Sequence, residues 1–478
     1  MLNTGANTNI ITFKGKSVTL DKAFVDIIKK ENNEEIENIF YYSNINTQSL
    51  IFILKNLGRL NAGFNFDVFI KLLENHNDEV RYWAVKNLGK SKSEKYLNTL
   101  IQYFGREENT NIKREIISSV GRMKSINAVP FLLDVLLDND PKILSQSIRA
   151  LLCFKGDNSV DKALIDLINH ENEIIRSVIQ KEYFNEKSSS KSKQSHVDTY
   201  DYLKNVVVNG DVLEILPLLQ DESIHLTFTS PPYYNARDYS IYPSYEAYLN
   251  FLMEVFKETH RITKEGRYLI VNTSPVIIPR ISRSHSSKRY PIPFDLHGIL
   301  TNIGWEFIDD IVWMKPEYSV KNRIGGFQQH RKPLAYKPNS VTEYLMVYRK
   351  QTDRLLDWNI RQYPDTIVEK SKVSGEFETT NVWKICPKSD KVHSAVFPDE
   401  LCKRVIEYYS YYGDLVFDPF AGSGTFGRTA KKMNRFFFMT EKEEKYFEYM
   451  KQQSSKDHDT DNFETKFLSV NEFKECIN

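Results

Sequence analysis

Residues 414–441 read DLVFDPFAGSGTFGRTAKKMNRFFFMTE. The apolar run Leu415–Phe417 is followed by Asp418 and Pro419, then by a loop holding Gly422 and Gly424. A segment of helical spacing begins at Thr425, and a second apolar run ends on Glu441. Strand, glycine loop, helix, strand is the unit of an open α/β sheet, in which ligands sit at the C-terminal ends of strands. The glycines let backbone approach a ligand closely. The spacing Gly422-x-Gly424-x-x-Gly427, with Glu441 closing the next strand, also satisfies the dinucleotide fingerprint. No Gly-Lys-Ser/Thr ending is present, which excludes a P-loop nucleotidase. This stretch decides the fold class and leaves the nucleotide open.

Upstream, further short β-rich runs alternate with helical spacing: VVVNGD from Val206, IHLTFTS from Ile224, RYLIVNTS from Arg267, FIDDIVWMK from Phe307 and TEYLMVYRK from Thr342. The run from Ile224 opens into a second unusual loop, Thr229-Ser230-Pro231-Pro232-Tyr233. Two successive prolines fix φ and remove two backbone donors, leaving carbonyls free to accept. A rigid turn between a hydroxyl and an aromatic ring suits a grip on a planar, amine-bearing ring. A dinucleotide reading of the first loop leaves this second one unexplained.

Before residue 185 the pattern is different. A motif of acidic/Asn-x-apolar-basic-x-x-apolar-apolar recurs around Val80-Arg81, Ile112-Lys113, Ile143 and Ile174, roughly 31 residues apart. Gly58, Gly89 and Gly121 recur at a similar period and are expected to be left-handed C-caps. The segment resembles HEAT-type repeats, four or five units between about Ser49 and Phe184, each needing its neighbours to bury its apolar face. Charge is roughly balanced here, which favours a protein partner or spacer over a DNA cradle. The Ser/Lys-rich stretch Asn185–His196 reads as a linker.

Net charge is +1, so a nucleic-acid site must be a local basic patch. The four cysteines (Cys153, Cys386, Cys402, Cys476) form no CxxC pair, which argues for reduced thiols and against zinc; no metal is expected. Neither an 18-residue apolar run nor a signal-peptide pattern is present, so a cytoplasmic protein without membrane association is expected.

Taken with Gly210-Asp211 and its x-x-E-x-L continuation, the helix YLNFLMEVFKETHRITKEG and HSAVFPDEL (His393–Leu401), the two loops resemble the amino-methyltransferases of bacterial restriction–modification systems. The likeness runs from Asn205 to Met450. The Pro-Pro loop precedes the glycine loop, similar to the permuted β group, whose target-recognition segment lies between them. The resemblance implies S-adenosylmethionine as cofactor and double-stranded DNA as partner. Phe417, Asp418, Phe420, Gly422, Gly424 and Thr425 would then line the cofactor, Glu441 would accept from its ribose hydroxyls, Asp211 would approach its adenine, and His393 would close the pocket. A Gly-Asp turn before a helix is equally a plain N-cap.

Ser230 and the carbonyl of Pro231 would accept hydrogen bonds from an exocyclic amine, with Pro232 stiffening the loop and Tyr233 stacking on a base flipped out of the duplex. Cys402 stands in no Pro-Cys loop, so a carbon-5 mechanism has no support. Serine before Pro-Pro-Tyr favours the N4 amine of cytosine. The alternatives are the N6 amine of adenine, and a DNA- or protein-binding repeat scaffold with little catalysis. Basic residues between the loops are the candidate DNA contacts: Arg280, Arg283, Lys288 and Arg289, then Lys315, Lys321, Arg323, Arg331, Lys332 and Lys337.

The expected plan is a HEAT-like α-solenoid over 1–184, a linker over 185–200, and a Rossmann-like methyltransferase α/β domain over 201–452. The target-recognition segment would span about 279–392, and a polar tail 453–478. The HEAT-like domain is where a protein partner would bind.

Overall fold

The computed structural model describes residues 10–13, 16–30, 33–42, 45–60, 63–184, 195–235, 241–278, 282, 284–285, 287–320, 332–334, 338–373, 375–388, 396–455 and 464–477. They fall into two compact units, 1–189 and 190–478.

Local capping sets the rhythm of the first unit. Asn46, Asn77, Asn109, Asp140 and Asn172 stand 31 or 32 residues apart, and each accepts backbone N–H groups at the start of a helix. These helices are Thr47–Asn56, Asp78–Lys90, Thr110–Met123, Pro141–Leu151 and Glu173–Ile179. Short helices Val68–Leu72, Leu97–Phe104, Val129–Val135 and Asn158–Ile165 alternate with them. One continuous apolar core runs from Leu20 to Ile179, as stacking of incomplete repeats demands.

The C-cap reading of the recurring glycines is corrected for two of them. Gly58 has φ +56°, but Gly89 and Gly121 lie inside helices. A Cβ on Gly121 would sit 2.7 Å from Ala150 Cβ and 3.2 Å from its Cα, so this glycine is kept by the close approach of the next repeat. Gly121→Val should therefore destabilise the unit by about 1–3 kcal/mol through overpacking, read as a lowered urea midpoint. An unchanged midpoint would remove the close-packing argument.

In the second unit nine strands form one sheet among the described residues: β1 (Val206–Asn209), β2 (Ile224–Thr229), β3 (Thr263–Thr273), β4 (Trp305–Met314), β5 (Thr342–Lys350), β6 (Val382–Lys384), β7 (Leu415–Asp418), β8 (Phe436–Glu441) and β9 (Lys466–Ser469). Their order is β6-β4-β5-β3-β2-β7-β8-β1-β9. Only β5 runs antiparallel to its neighbours. Every residue of β2 and β7 is buried, as expected for parallel strands covered on both faces. From β2 the chain passes through helix Tyr245–Ile262 to β3 on one side. From β7 it passes through helix Thr425–Lys432 to β8 on the other. Between β2 and β7 the winding reverses, and that reversal opens a crevice at their C-terminal ends.

Three expectations about boundaries are corrected. The polar tail contains β9, parallel to β1, and helix Val470–Ile477, whose Phe473 is fully buried against Phe438. Segment 279–392 contributes β4, β5 and β6 to the sheet, so any recognition role falls to its connections. The linker ends early. Leu415 N–H donates to Nδ1 of the buried His225, whose Nε2 therefore donates to the His196 carbonyl at 3.1 Å. Burial holds this imidazole neutral, its pKa pushed down to about 3. Lys264 Nζ donates to the Ser195 carbonyl at 3.1 Å.

Candidate functional site

The crevice is a cavity of about 530 Å³, lined by Gly210 and Asp211 after β1, Ser230–Tyr233 after β2, Asp418–Ser423 and Thr425 after β7, and Glu441–Glu443 after β8. Thr229 and Asp418 end adjacent strands though 189 residues apart. The Thr229 hydroxyl donates to Asp418 Oδ1 at 2.7 Å, joining the two loops at their roots. Phe420 N–H donates to the same oxygen at 3.0 Å. Burial pushes the Asp418 carboxyl up to about 7, against the pull of these two hydrogen bonds.

The glycine loop turns through Gly422 (φ +53°) and Gly424 (φ +71°), and the Gly424 N–H closes it onto the Ala421 carbonyl at 2.8 Å. Glu441 holds the other wall. Its two oxygens accept from Gly422 N–H (2.7 Å) and Glu443 N–H (2.8 Å), and burial pushes its carboxyl up to about 7. Asp211 is both things the sequence allowed. It caps the following helix through Leu213 N–H (3.0 Å), and it lines the cavity, paired with Lys442 at 2.9 Å.

Not every expected cofactor residue faces this space. Phe417 is fully buried and stacks on Phe438 at 5.5 Å, so it belongs to the core. Gly424 is not in the cavity wall: a Cβ there would lie 2.6 Å from Met450 Sδ, and its left-handed backbone starts helix Thr425–Lys432. His393 lies outside the described residues.

The Pro-Pro loop presents Ser230, Pro231, Pro232 and Tyr233 to the same cavity. Tyr233 is half-buried, and its hydroxyl donates to Glu343 Oε2 at 3.3 Å. Burial, then the Glu343 charge, pushes that hydroxyl well above the usual tyrosine range. Lys315 pairs with Glu343 and lies over the Trp313 ring at 4.3 Å. Glu343, Trp313 and Asn272 went unseen in the sequence, and Lys315 was expected on a DNA-facing surface. The missing signal was strand direction. An antiparallel β5 brings its first residues to the edge where parallel strands end, so Glu343 meets Lys315, the residue just after β4.

Of the other candidate DNA contacts, Lys288 and Arg289 are exposed on the hairpin Val276–Ile278/Lys288–Tyr290, and Lys332 is exposed. Arg280, Arg283, Lys321, Arg323, Arg331 and Lys337 lie outside the described residues. Cys402 is fully buried in helix Asp399–Tyr409, and burial pushes its thiol well up, the reverse of an activated nucleophile. Among the described residues no group of three His, Cys, Asp or Glu side chains could hold a metal, and no helix is long and apolar enough to cross a membrane.

Comparison with known proteins gives two family matches: DNA methylase over residues 224–452 and HEAT repeats over 66–153. The type II methyltransferase M.Cfr9I of Citrobacter freundii is 30% identical over 260 residues, covering 47% of this chain and 79% of that protein. The type II beta methyltransferase M.BslI of Bacillus sp. (strain NEB-606) is 28% identical over 240 residues; the match covers 48% of this chain but spans only 25% of M.BslI. Among solved structures, the cytosine-N4-specific PvuII DNA methyltransferase aligns over 56% of this chain and 95% of its own, at 19% identity and a TM-score of 0.41.

Proposed function

The chain belongs to the N6/N4 DNA methylase family, and on that premise we propose that its second unit transfers a methyl group from S-adenosylmethionine to the N4 amine of cytosine in double-stranded DNA. The observation that carries this reading is the joining of the Ser-Pro-Pro-Tyr loop to the glycine loop at one cavity, through Thr229 and Asp418.

The wall fits the cofactor. Glu441 offers a buried carboxylate whose oxygens meet only backbone N–H donors in the bonds above, leaving acceptor capacity for ribose hydroxyls. Phe420 and Tyr446 offer apolar surface nearby, and Asp211, in the same wall, would accept from the adenine amine. When bound, S-adenosylmethionine supplies an electrophilic methyl on a sulfonium. The chain does the rest by positioning. Ser230 Oγ and the Pro231 carbonyl accept the two amine hydrogens, which turns the nitrogen lone pair out of conjugation and toward the methyl. Tyr233 stacks on the flipped base while Glu343 holds its hydroxyl. The exposed Lys288, Arg289 and Lys332 meet phosphate, with Arg280, Arg283, Lys321, Arg323, Arg331 and Lys337 assigned there by sequence position alone. The order of the two loops supports a permuted, β-group arrangement.

Modification-sensitive sequencing of DNA from expressing cells tests the proposal. N4-methylcytosine at a fixed motif is expected; N6-methyladenine would replace the cytosine assignment, and unmodified DNA would sink methyl transfer.

Cofactor binding should also depend on pH in a stated sense. Glu441 accepts hydroxyls best when ionised, and its raised pKa leaves it protonated below about 7. Affinity should therefore climb as pH rises through 7, by up to about tenfold per unit below it, and level off above. Glu441→Gln should weaken binding by about 1.5–3 kcal/mol and flatten the profile. Calorimetry on either side of pH 7 checks both, and an unflattened profile in the variant would take Glu441 out of the ribose role.

A further inference from the structure

Counting from each Asn or Asp cap of the repeat unit, the ninth residue onward is Lys55, Lys86, Ser118, Arg149 and Lys181. Four of the five are cationic. One turn further along, Lys90 and Arg122 extend the pattern on the second and third helices. The residue just before the ninth is Leu54, Val85, Ile117 or Ile148 in the first four repeats, each buried in the core. That fixes the rotation of those four helices and sends the ninth position to the rim of their inter-repeat contacts. Lys55 and Arg149 are exposed; Lys86, half-buried, lies over the Trp83 ring at 4.8 Å and the Tyr82 ring at 5.4 Å. Charges of successive repeats also feel one another: after burial, Lys86, Arg122 and Lys29 all push the Lys90 ammonium down.

Several acids near this strip are engaged, while the exposed Glu79 shares a groove with Tyr82 and Ser118. Glu107 holds Arg81, Asp78 holds Arg81 and Asn109, and Glu115 holds Arg122 at 2.6 Å. Packed helices lie about 8–10 Å apart, so the first four, packed in succession, carry the strip over roughly 27 Å, most of one turn of duplex DNA.

We propose that this strip is a sequence-independent contact for the phosphate backbone of duplex DNA. The distribution of charge reverses the expectation of a protein partner, which rested on totals. A protein surface would ask for apolar anchors; the aromatic groups on the strip, Tyr82 and Trp83, are both covered by Lys86. A phosphate grip carries no base information, so the inference goes beyond methyl transfer and is read without cofactor.

The test is a salt titration of duplex binding by the full chain and by its Lys55→Ala/Lys86→Ala/Arg149→Ala variant, on an arbitrary-sequence duplex several turns long. Loss of three phosphate contacts should lower the slope of log K against log salt by about 2.7, and low-salt affinity by on the order of 10²-fold. Lys55→Arg/Lys86→Arg keeps the charge and should keep the parental slope, which separates charge from folding. An unchanged slope in the alanine variant overturns the proposal, and so does a loss confined to an acidic polypeptide such as poly-glutamate. A parent chain that binds no duplex at all would sink the methyl-transfer reading as well.

Discussion

Ser230→Ala should leave S-adenosylmethionine binding intact and lower methyl transfer by on the order of 10²–10³, the scale of removing one preorganised polar partner of a reacting group. Ser230 lines the cavity beside the Pro-Pro turn and is assigned to the base, not to the cofactor. Tyr233→Ala should cause a comparable loss, because the base then has no ring to stack on. Tyr233→Phe separates the two roles of that residue. It keeps the ring and removes the hydrogen bond to Glu343, so a drop of about tenfold or less is expected. Single-turnover assays with separately measured cofactor affinity decide the matter. Near-parental rates in Ser230→Ala and Tyr233→Ala would take the loop out of the chemistry.

The second large effect is structural. Gly424→Val places a β-branched side chain at φ +71° with its Cβ 2.6 Å from Met450 Sδ. Backbone strain costs about 1–3 kcal/mol and overpacking about 1–3 kcal/mol more. A fall of on the order of 10 °C in melting temperature should follow, together with loss of cofactor binding as the loop loses its turn. The motif suggests close approach to a ligand at this glycine, but the open side of its backbone faces Met450 in the core. If the variant melted like the parent and lost only cofactor binding, the ligand argument would be restored.

Gly424 also illustrates what the sequence could and could not disclose. Its neighbours announced a strand, a tight turn and a helix, because glycine spacing and apolar runs are local signals, and β7, β8 and the loop between them stand where those signals put them. Which way a residue faces is not local. Phe417 and Phe420 look alike in the motif, yet one stacks on Phe438 and the other lines the cavity. Glu343 was invisible for the same reason, since nothing in TEYLMVYRK states that β5 runs against its neighbours. The tail was misread because four residues of strand are too short to stand out between polar flanks. In the repeats, composition hid what register reveals: balanced totals over residues 1–185, with lysine or arginine at the ninth place after the cap in four of five repeats.

The reversal of β5 has a consequence for how this molecule can change. Chain positions 316–341 leave the sheet after β4 and return to it before β5, both at the edge that bears the cavity, and Lys315 and Glu343 clasp the two ends of that excursion. A connection fastened at its base behaves as a replaceable cartridge. Doubling its length costs only about 0.6 kcal/mol of closure entropy and shifts no strand. Under the proposed function, DNA specificity would then change by replacing this excursion, with the residues that line the cavity kept.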